Sequence, residues 1–511
     1  MKILALILFL LAGMPSVSKA VISAESVALL YNSAVPESRK LAEIYREARG
    51  IPVGNLIGLE MPVVPDISRK DYEKWILKPL RKEFDRRRWW QRQPDAGGVV
   101  LPVTNRIRVL VTLRGVPLRI QAQPKSAASN SQNPVLSHDE AAVDSELAMF
   151  GVDGLPVDGV LANKFFQSEK SIAEVNLPFL ILTSRIDAPT FATCERMIRD
   201  AVAVEQTGLW GRAYVDIANK FPQGDQWLEE IVTRDAQVGI PTVVDRYQET
   251  LPLNYPMTDA ALYYGWYDWN VSGPFLNKRF EFQKGAVAMH LHSFSAEQLS
   301  DPSKNWSGAL LEKGAAVTIG NVYEPYLHLT HNFSILHQKL LEGYCWVEAC
   351  WMAMPVASWQ GVVLGDPLYR PFLHFEGGGM KRERDIDYRA LRAAALEWKN
   401  DLPERRKQVA KAAERMKSGI LAEASALDLL QQGDSLGAAQ WFQTAKENYV
   451  KSEDQLRQNL HLISIDRTAN RKSLAIRGLR DAQLRYGPIP EAEALKCWLD
   501  ILEPAPVVVK P

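Results

Sequence analysis

Cysteine is scarce in this chain: four residues among 511, at positions 194, 345, 350 and 497. That is no disulfide framework for a protein of this size. Buried free thiols are the expectation. Cys345 and Cys350 stand five apart in one helical pattern, so they do not share a face well. An excess of one charge is also missing, because 60 Lys and Arg balance 60 Asp and Glu. Nucleic-acid binding usually leaves a basic footprint, so no nucleic-acid partner is expected. The run Arg86-Arg87-Arg88-Trp89-Trp90 reads as a solvated helix end with two half-buried indoles. Past the first residues, no apolar run approaches the roughly 20 residues needed to cross a bilayer. No transmembrane segment is expected in the mature chain. Gly-x-Ser-x-Gly is absent around Ser293 and Ser295, which removes the nucleophile elbow of the α/β-hydrolases.

A globular composition is present. Hydrophobic residues make up 47% and charged residues 23%, as in ordinary folded domains. The length implies two or three domains. At the amino terminus, Lys2 precedes an apolar run over residues 3–12, then Gly13, Pro15 and Ser18-Lys19-Ala20. A charged start, a short apolar core and small residues before a cut are the signs of a secretory signal peptide over residues 1–20. The expectation is an exported protein, periplasmic or extracellular.

Apolar runs then alternate with amphipathic stretches. Runs near 26–31, 55–59 and 108–113 are separated by helical patterns at 36–49 and 71–88. A second series begins near 177, with strands at 178–183, 212–217, 242–245, 261–264 and 362–364. Such alternation predicts an α/β fold with a parallel sheet covered on both faces. After Gly377-Gly378-Gly379 the pattern is helical from 386 to 502. Residues 438–449 (AAQWFQTAKENY) are similar to the second helix of a tetratricopeptide repeat, although one half-repeat defines no period. The expected divisions are a first α/β subdomain over 21–175, a second over 176–375 and a helical domain over 376–511.

The stretch 285–325 carries the candidate chemistry. It reads as a buried strand reaching His290 and His292, a helix, and a second buried strand ending at Asn321. Adjacent parallel strands would deliver these groups to one edge, where open α/β sheets bind ligands. His290 and His292 are two apart in a strand and share a face. His328 and His331, three apart at a helix start, share another. With Glu324 between the pairs, His290, His292, Glu324, His328 and His331 form a candidate set for a divalent metal, since imidazole suits zinc, copper, iron or nickel. The same residues also read as a hydrogen-bonded core histidine and a neutral polar cleft. His292, His290 and Asp268 are the candidate catalytic groups. Trp266, Tyr267, Asn270, Ser293, Asn321 and Tyr323 are the candidate ligand cleft, suited to a peptide or glycan. Ser293 and Ser295 read as nucleophiles or, more commonly, as caps of the next turn. The helical domain is a candidate surface for a protein partner.

Two stretches resemble the gingipain-type cysteine peptidases and the wider caspase-like fold. Residues 177–205 (LPFLILTSRIDAPTFATCERMIRDAVAVE) are similar to a strand, Arg and helix segment of that family. Residues 313–371, with GAAVTIGNVYEP, LHQKLLEGYCWVEA and GVVLGDPLYRP, resemble its closing pattern. The resemblance implies a two-subdomain, doubly wound core and a cleft at the strand ends. It does not supply the catalytic pair. The place of the family's histidine reads Tyr264-Gly265-Trp266-Tyr267, and the place of its cysteine reads Met289-His290-Leu291-His292-Ser293. Residues 21–371 resemble more closely an uncharacterised family of exported bacterial proteins associated with the exosortase and PEP-CTERM sorting system. ALYYGWYDWNVSGPF and GNVYEPYLHLTHNF carry that match. Together these imply a non-peptidase binding or assembly factor of the bacterial envelope or of a protein-sorting or exopolysaccharide system. The alternative is a hydrolase with a histidine-rich, metal-binding cleft.

Overall fold

The computed structural model describes residues 21–124, 135 and 138–504. Residues 1–20, read as a signal peptide, lie outside the described residues, as does most of the polar stretch 121–138. The chain forms two compact units. One joins the described chain up to Leu209 with Lys284–Glu376. The other joins Trp210–Gln283 with the chain from Gly377 onward. The expected divisions lay near residues 175 and 375; the units change over after 209, 283 and 376.

The principal strands are, in chain order, β1 (Val27–Asn32), β2 (Leu56–Leu59), β3 (Val109–Leu113), β4 (Leu182–Ile186), β5 (Arg212–Asp216), β6 (Thr242–Asp245), β7 (Ala260–Gly265), β8 (Val287–His290), β9 (Thr318–Asn321) and β10 (Gly361–Leu364). The protein is α/β, with parallel sheets and a helical region after residue 386.

The first unit is built on a six-stranded sheet in the order β9-β10-β4-β3-β1-β2. Neighbours are parallel except β9 and β10, which run antiparallel with Thr318 opposite Leu364. Every residue of β3 (VLVTL) is buried, as a strand covered on both faces requires. Pro36–Arg49 is a helix with proline in its first turn, where the missing N–H costs nothing. It stops at Gly50, whose φ of 65° is the left-handed conformation of a helix C-cap. β8 runs beside β9 through a parallel bridge between Val287 and Val317. The pattern at 71–88 divides into a π-type turn at Tyr72–Leu77 and a helix at Lys78–Arg86. Trp89 and Trp90 are buried rather than half-buried, in a core cluster with Phe84 and Phe150.

The second unit has three parallel strands in the order β6-β5-β7. Helix Pro222–Val238 joins β5 to β6. The helices Ile386–Glu397, Leu402–Met416, Gly419–Gln431, Ser435–Asn448, Ser452–Thr468, Lys472–Tyr486 and Glu493–Leu502 complete it. Arg212 at the start of β5 is tied to these helices. Its Nη2 lies 3.0 Å from Glu423, and Arg457 Nε lies 2.7 Å from the same carboxylate. Tyr449 donates to Glu423 at 2.6 Å. All three charged side chains are essentially inaccessible. Burial opposes ionisation of Glu423, but Arg212 and Arg457 hold its pKa well below the usual range.

Candidate functional site

In the first unit, β8 is buried throughout and carries His290 to the sheet edge. The imidazole lies flat on the Trp306 indole, with centroids 3.4 Å apart and planes 5° from parallel. Burial, and then His292, push the His290 pKa well below its usual value, so the ring is neutral. His292 is 3% exposed, and its Nδ1 closes onto the Ser293 carbonyl.

The turn that follows is stitched to β9 by backbone bonds. Phe294 N donates to Tyr323 O at 3.0 Å, and Ala296 N to Asn321 O at 2.9 Å. Ser295 Oγ accepts from Asn321 N at 3.1 Å. Its carbonyl accepts from Trp306 N and Ser307 N, just before and at the start of the next helix. Ser295 is therefore a structural clasp. Ser293 is half-buried in the same turn. Phe294 holds a φ of 61°, inside the left-handed region that a Cβ disfavours.

Asn321 accepts from Thr330 Oγ1 at 3.1 Å. Tyr323 donates to the Ile120 carbonyl at 3.2 Å, with the Arg119 guanidinium 5.4 Å over its ring. Burial pushes the Tyr323 phenol up to about 12. Asn321, Ser295 and Thr330 are thus brought together, and Tyr323 joins them through its carbonyl bond to the turn.

The five-residue metal set is not assembled. His328 sits in a 3-10 turn at Leu327–Leu329, and the helix begins only at Phe333, capped by Asn332. With no continuous helix, His328 and His331 do not share a face. His328 is exposed and His331 fully buried. Burial lowers the His331 pKa to about 3, and neither ring nitrogen has a hydrogen-bond partner. Glu324 is exposed and accepts from Tyr326 N at 3.1 Å. Among the described residues, no group of three or more His, Cys, Asp or Glu side chains is placed to hold a metal ion.

Trp266, Tyr267, Asp268 and Asn270 follow β7 in the second unit. Trp266 is 1% exposed and donates through Nε1 to Asp225 Oδ1 at 2.9 Å. Its ring lies where a Cβ on Gly224 would come within 2.1 to 2.6 Å. The indole is a packing element against helix Pro222–Val238, which corrects its reading as a cleft wall. Tyr267 is half-buried and Asn270 exposed, and Trp269 is 56% exposed. Asp268 accepts from the hydroxyls of Thr250 at 3.1 Å and Ser272 at 2.7 Å.

Two further groupings lie outside the candidate set. In the first unit, Arg185 lies inside β4. It is fully buried and pairs with Asp144 at 2.8 Å. It also donates to the carbonyls of Val116 and Pro117, each at 2.8 Å. Arg114 lies 3.4 Å from Asp187, closing a second pair.

In the second unit, Asp216 and Asp245 end neighbouring parallel strands and face each other in register. Asp216 Oδ2 accepts from Leu251 N at 3.0 Å, whereas Oδ1 is buried without a partner. Asp245 Oδ1 accepts from Tyr247 N at 2.8 Å. Burial, then the charge of Asp245, hold Asp216 well above the carboxylate range, and burial pushes Asp245 up to about 7. Carboxylates kept protonated near neutrality at the carboxyl ends of parallel strands are suited to proton transfer. The signal was present, since each strand's apolar run ends in Asp, but an Asp at a strand end more often marks a turn.

No family model matches the chain, and no curated protein does. A solved structure described as "Structure of Protease" is similar at 11% identity and a TM-score of 0.38, covering 70% of this chain and 80% of that one. At that level of likeness nothing about activity transfers.

Proposed function

We propose that this chain is an exported, non-peptidase binding or assembly factor of the bacterial envelope, on a degenerate scaffold of the caspase and gingipain type. In that reading it serves a protein-sorting or exopolysaccharide system and takes a peptide or glycan ligand. The observation that carries the reading is the sequestration of the groups a peptidase would use. His290 is stacked on Trp306, and His292 is 3% exposed with Nδ1 against a carbonyl. Cys194, Cys345 and Cys350 are buried, and burial raises the pKa of each. A buried thiol held protonated is a poor nucleophile. The exposed Trp269, near Tyr267 and Asn270 in sequence, supplies an aromatic surface of the kind that peptides and sugars stack on.

The test is binding of the purified protein to glycan and peptide arrays, with Trp269→Ala alongside. Expected is saturable binding that Trp269→Ala weakens at least fivefold, with no turnover of peptide substrates. Peptide cleavage lost on His292→Ala would overturn the reading. A hydrolase remains the second reading, and its support comes from the Asp216 and Asp245 pair. Hydrolysis of any ester or glycoside that Asp216→Asn abolishes, in a folded variant, would favour it.

A further inference from the structure

The second unit contains a cavity of about 310 Å³ between β6 and the helices Leu402–Met416, Gly419–Gln431 and Ser452–Thr468. Its wall is largely apolar, with Val232, Val244, Leu391, Val409, Leu427 and Trp441 among the lining residues. The hydroxyls that line it are already committed within the protein. Thr242 donates to Asp235 at 3.1 Å, Ser425 to the Leu421 carbonyl at 3.0 Å, and Ser464 shares a 2.9 Å bond with Tyr247. His461 stacks on Phe442 and keeps Nε2 3.4 Å from Glu423. Burial lowers its pKa, so it adds no cation to the wall. An interior without uncommitted hydroxyls favours an apolar occupant over a peptide, whose backbone would need partners there.

The lining carries four cations, and three are matched. Arg246 is held bidentately by Glu229 at 2.6 and 2.7 Å, Arg406 by Asp428 at 2.5 Å, and Lys407 by Glu404 at 3.1 Å. Arg405 differs. Its two terminal nitrogens donate to the carbonyls of Ala236 and Gln237 at 3.1 Å, at the carboxyl end of helix Pro222–Val238. Among the described residues, no carboxylate lies within ion-pair distance of it. It is half-buried, and burial pulls its pKa down, with the charge of Asp428 opposing. A guanidinium without a directly paired carboxylate at an apolar cavity can take one more anion, and a carboxylate matches its fork.

We propose that this cavity binds an amphipathic monocarboxylate, an unbranched acyl chain whose tail lies among the apolar residues and whose carboxylate sits on Arg405. The site lies within the helical unit and does not depend on the envelope-binding reading above.

The experiment is calorimetric titration of the purified full-length protein with dodecanoate and, as the uncharged chain of equal length, 1-dodecanol. Dodecanoate should saturate one site, with dodecanol at least tenfold weaker. Arg405→Gln should weaken dodecanoate roughly tenfold to a hundredfold, the effect of one hydrogen-bonded charge, and leave dodecanol unchanged. Ala424→Phe, filling the cavity, should remove both. Should that variant not fold, quenching by a bromine-labelled acyl acid gives an independent reading. The quenching amplitude should fall in Trp441→Phe. Absence of saturable binding, equal affinity for dodecanol, or unchanged selectivity in Arg405→Gln would overturn the proposal. So would tighter binding of a short peptide acid with an apolar terminal residue.

Discussion

Replacing Asp245 with Asn should stabilise the helical unit at pH 8 and lessen its pH dependence, leaving the share that buried Asp216 contributes. Asp245 is 6% exposed, and burial raises its pKa to about 7, with Glu249 also raising it and Arg467 and Arg246 opposing. In the unfolded chain the same group titrates near about 3.9. The folded state therefore holds a proton that the unfolded state has released. Stability is greatest below the unfolded value, falls as pH rises through the window between about 4 and 7, and is level above it. From pH 5 to pH 8 about two pKa units of that window are crossed, or roughly 3 kcal/mol. Water entry and side-chain relaxation around the charged pair reduce this to about 2 kcal/mol. For a unit of this size that is roughly 4–8 °C in melting temperature. Asn cannot ionise, and its amide oxygen can still accept from Tyr247 N as Asp245 does at 2.8 Å. The assay is differential scanning calorimetry of wild type and Asp245→Asn at pH 5, 6.5 and 8. A wild type with no pH dependence in this interval, or a variant that retains the full slope, refutes the assignment of the proton to Asp245.

Glu423→Ala should cost roughly 3–5 kcal/mol in denaturant unfolding, because it leaves Arg212 and Arg457 buried with their shared partner gone. Gly224→Ala should cost roughly 1–3 kcal/mol and red-shift tryptophan emission, since the new Cβ would drive into the Trp266 ring. Little effect in that variant would show that the indole is not confined there. Native protein treated with a thiol reagent should label at Cys497 first. Cys194, Cys345 and Cys350 are buried and should react only after unfolding. Rapid labelling of any of these three would contradict their burial.

Much of the architecture was legible in local pattern. The runs at β1, β3, β5 and β6 are short, apolar and punctuated by helical periodicity, which is what a parallel sheet demands of its sequence. The helical region after residue 386 was legible for the same reason. The hairpin Trp90–Pro94 with Val100–Asn105 was not, because its residues alternate weakly and only two of them are buried.

The residue types at the strand ends were determined by the sequence alone: His290 and His292 after one apolar run, Asn321 after another, Asp216 and Asp245 after two more. Their chemistry was decided only in three dimensions. Sequence spacing placed His328 and His331 on one helical face. A 3-10 turn and the Asn332 cap instead put one in solvent and the other in the core. Trp266 looked like a ligand wall until Gly224, 42 positions earlier in the chain, made room for its ring. Burial and long-range pairing depend on which elements meet. Those two quantities set the charge state of Asp245, the neutrality of His290 and the absence of a directly paired carboxylate at Arg405.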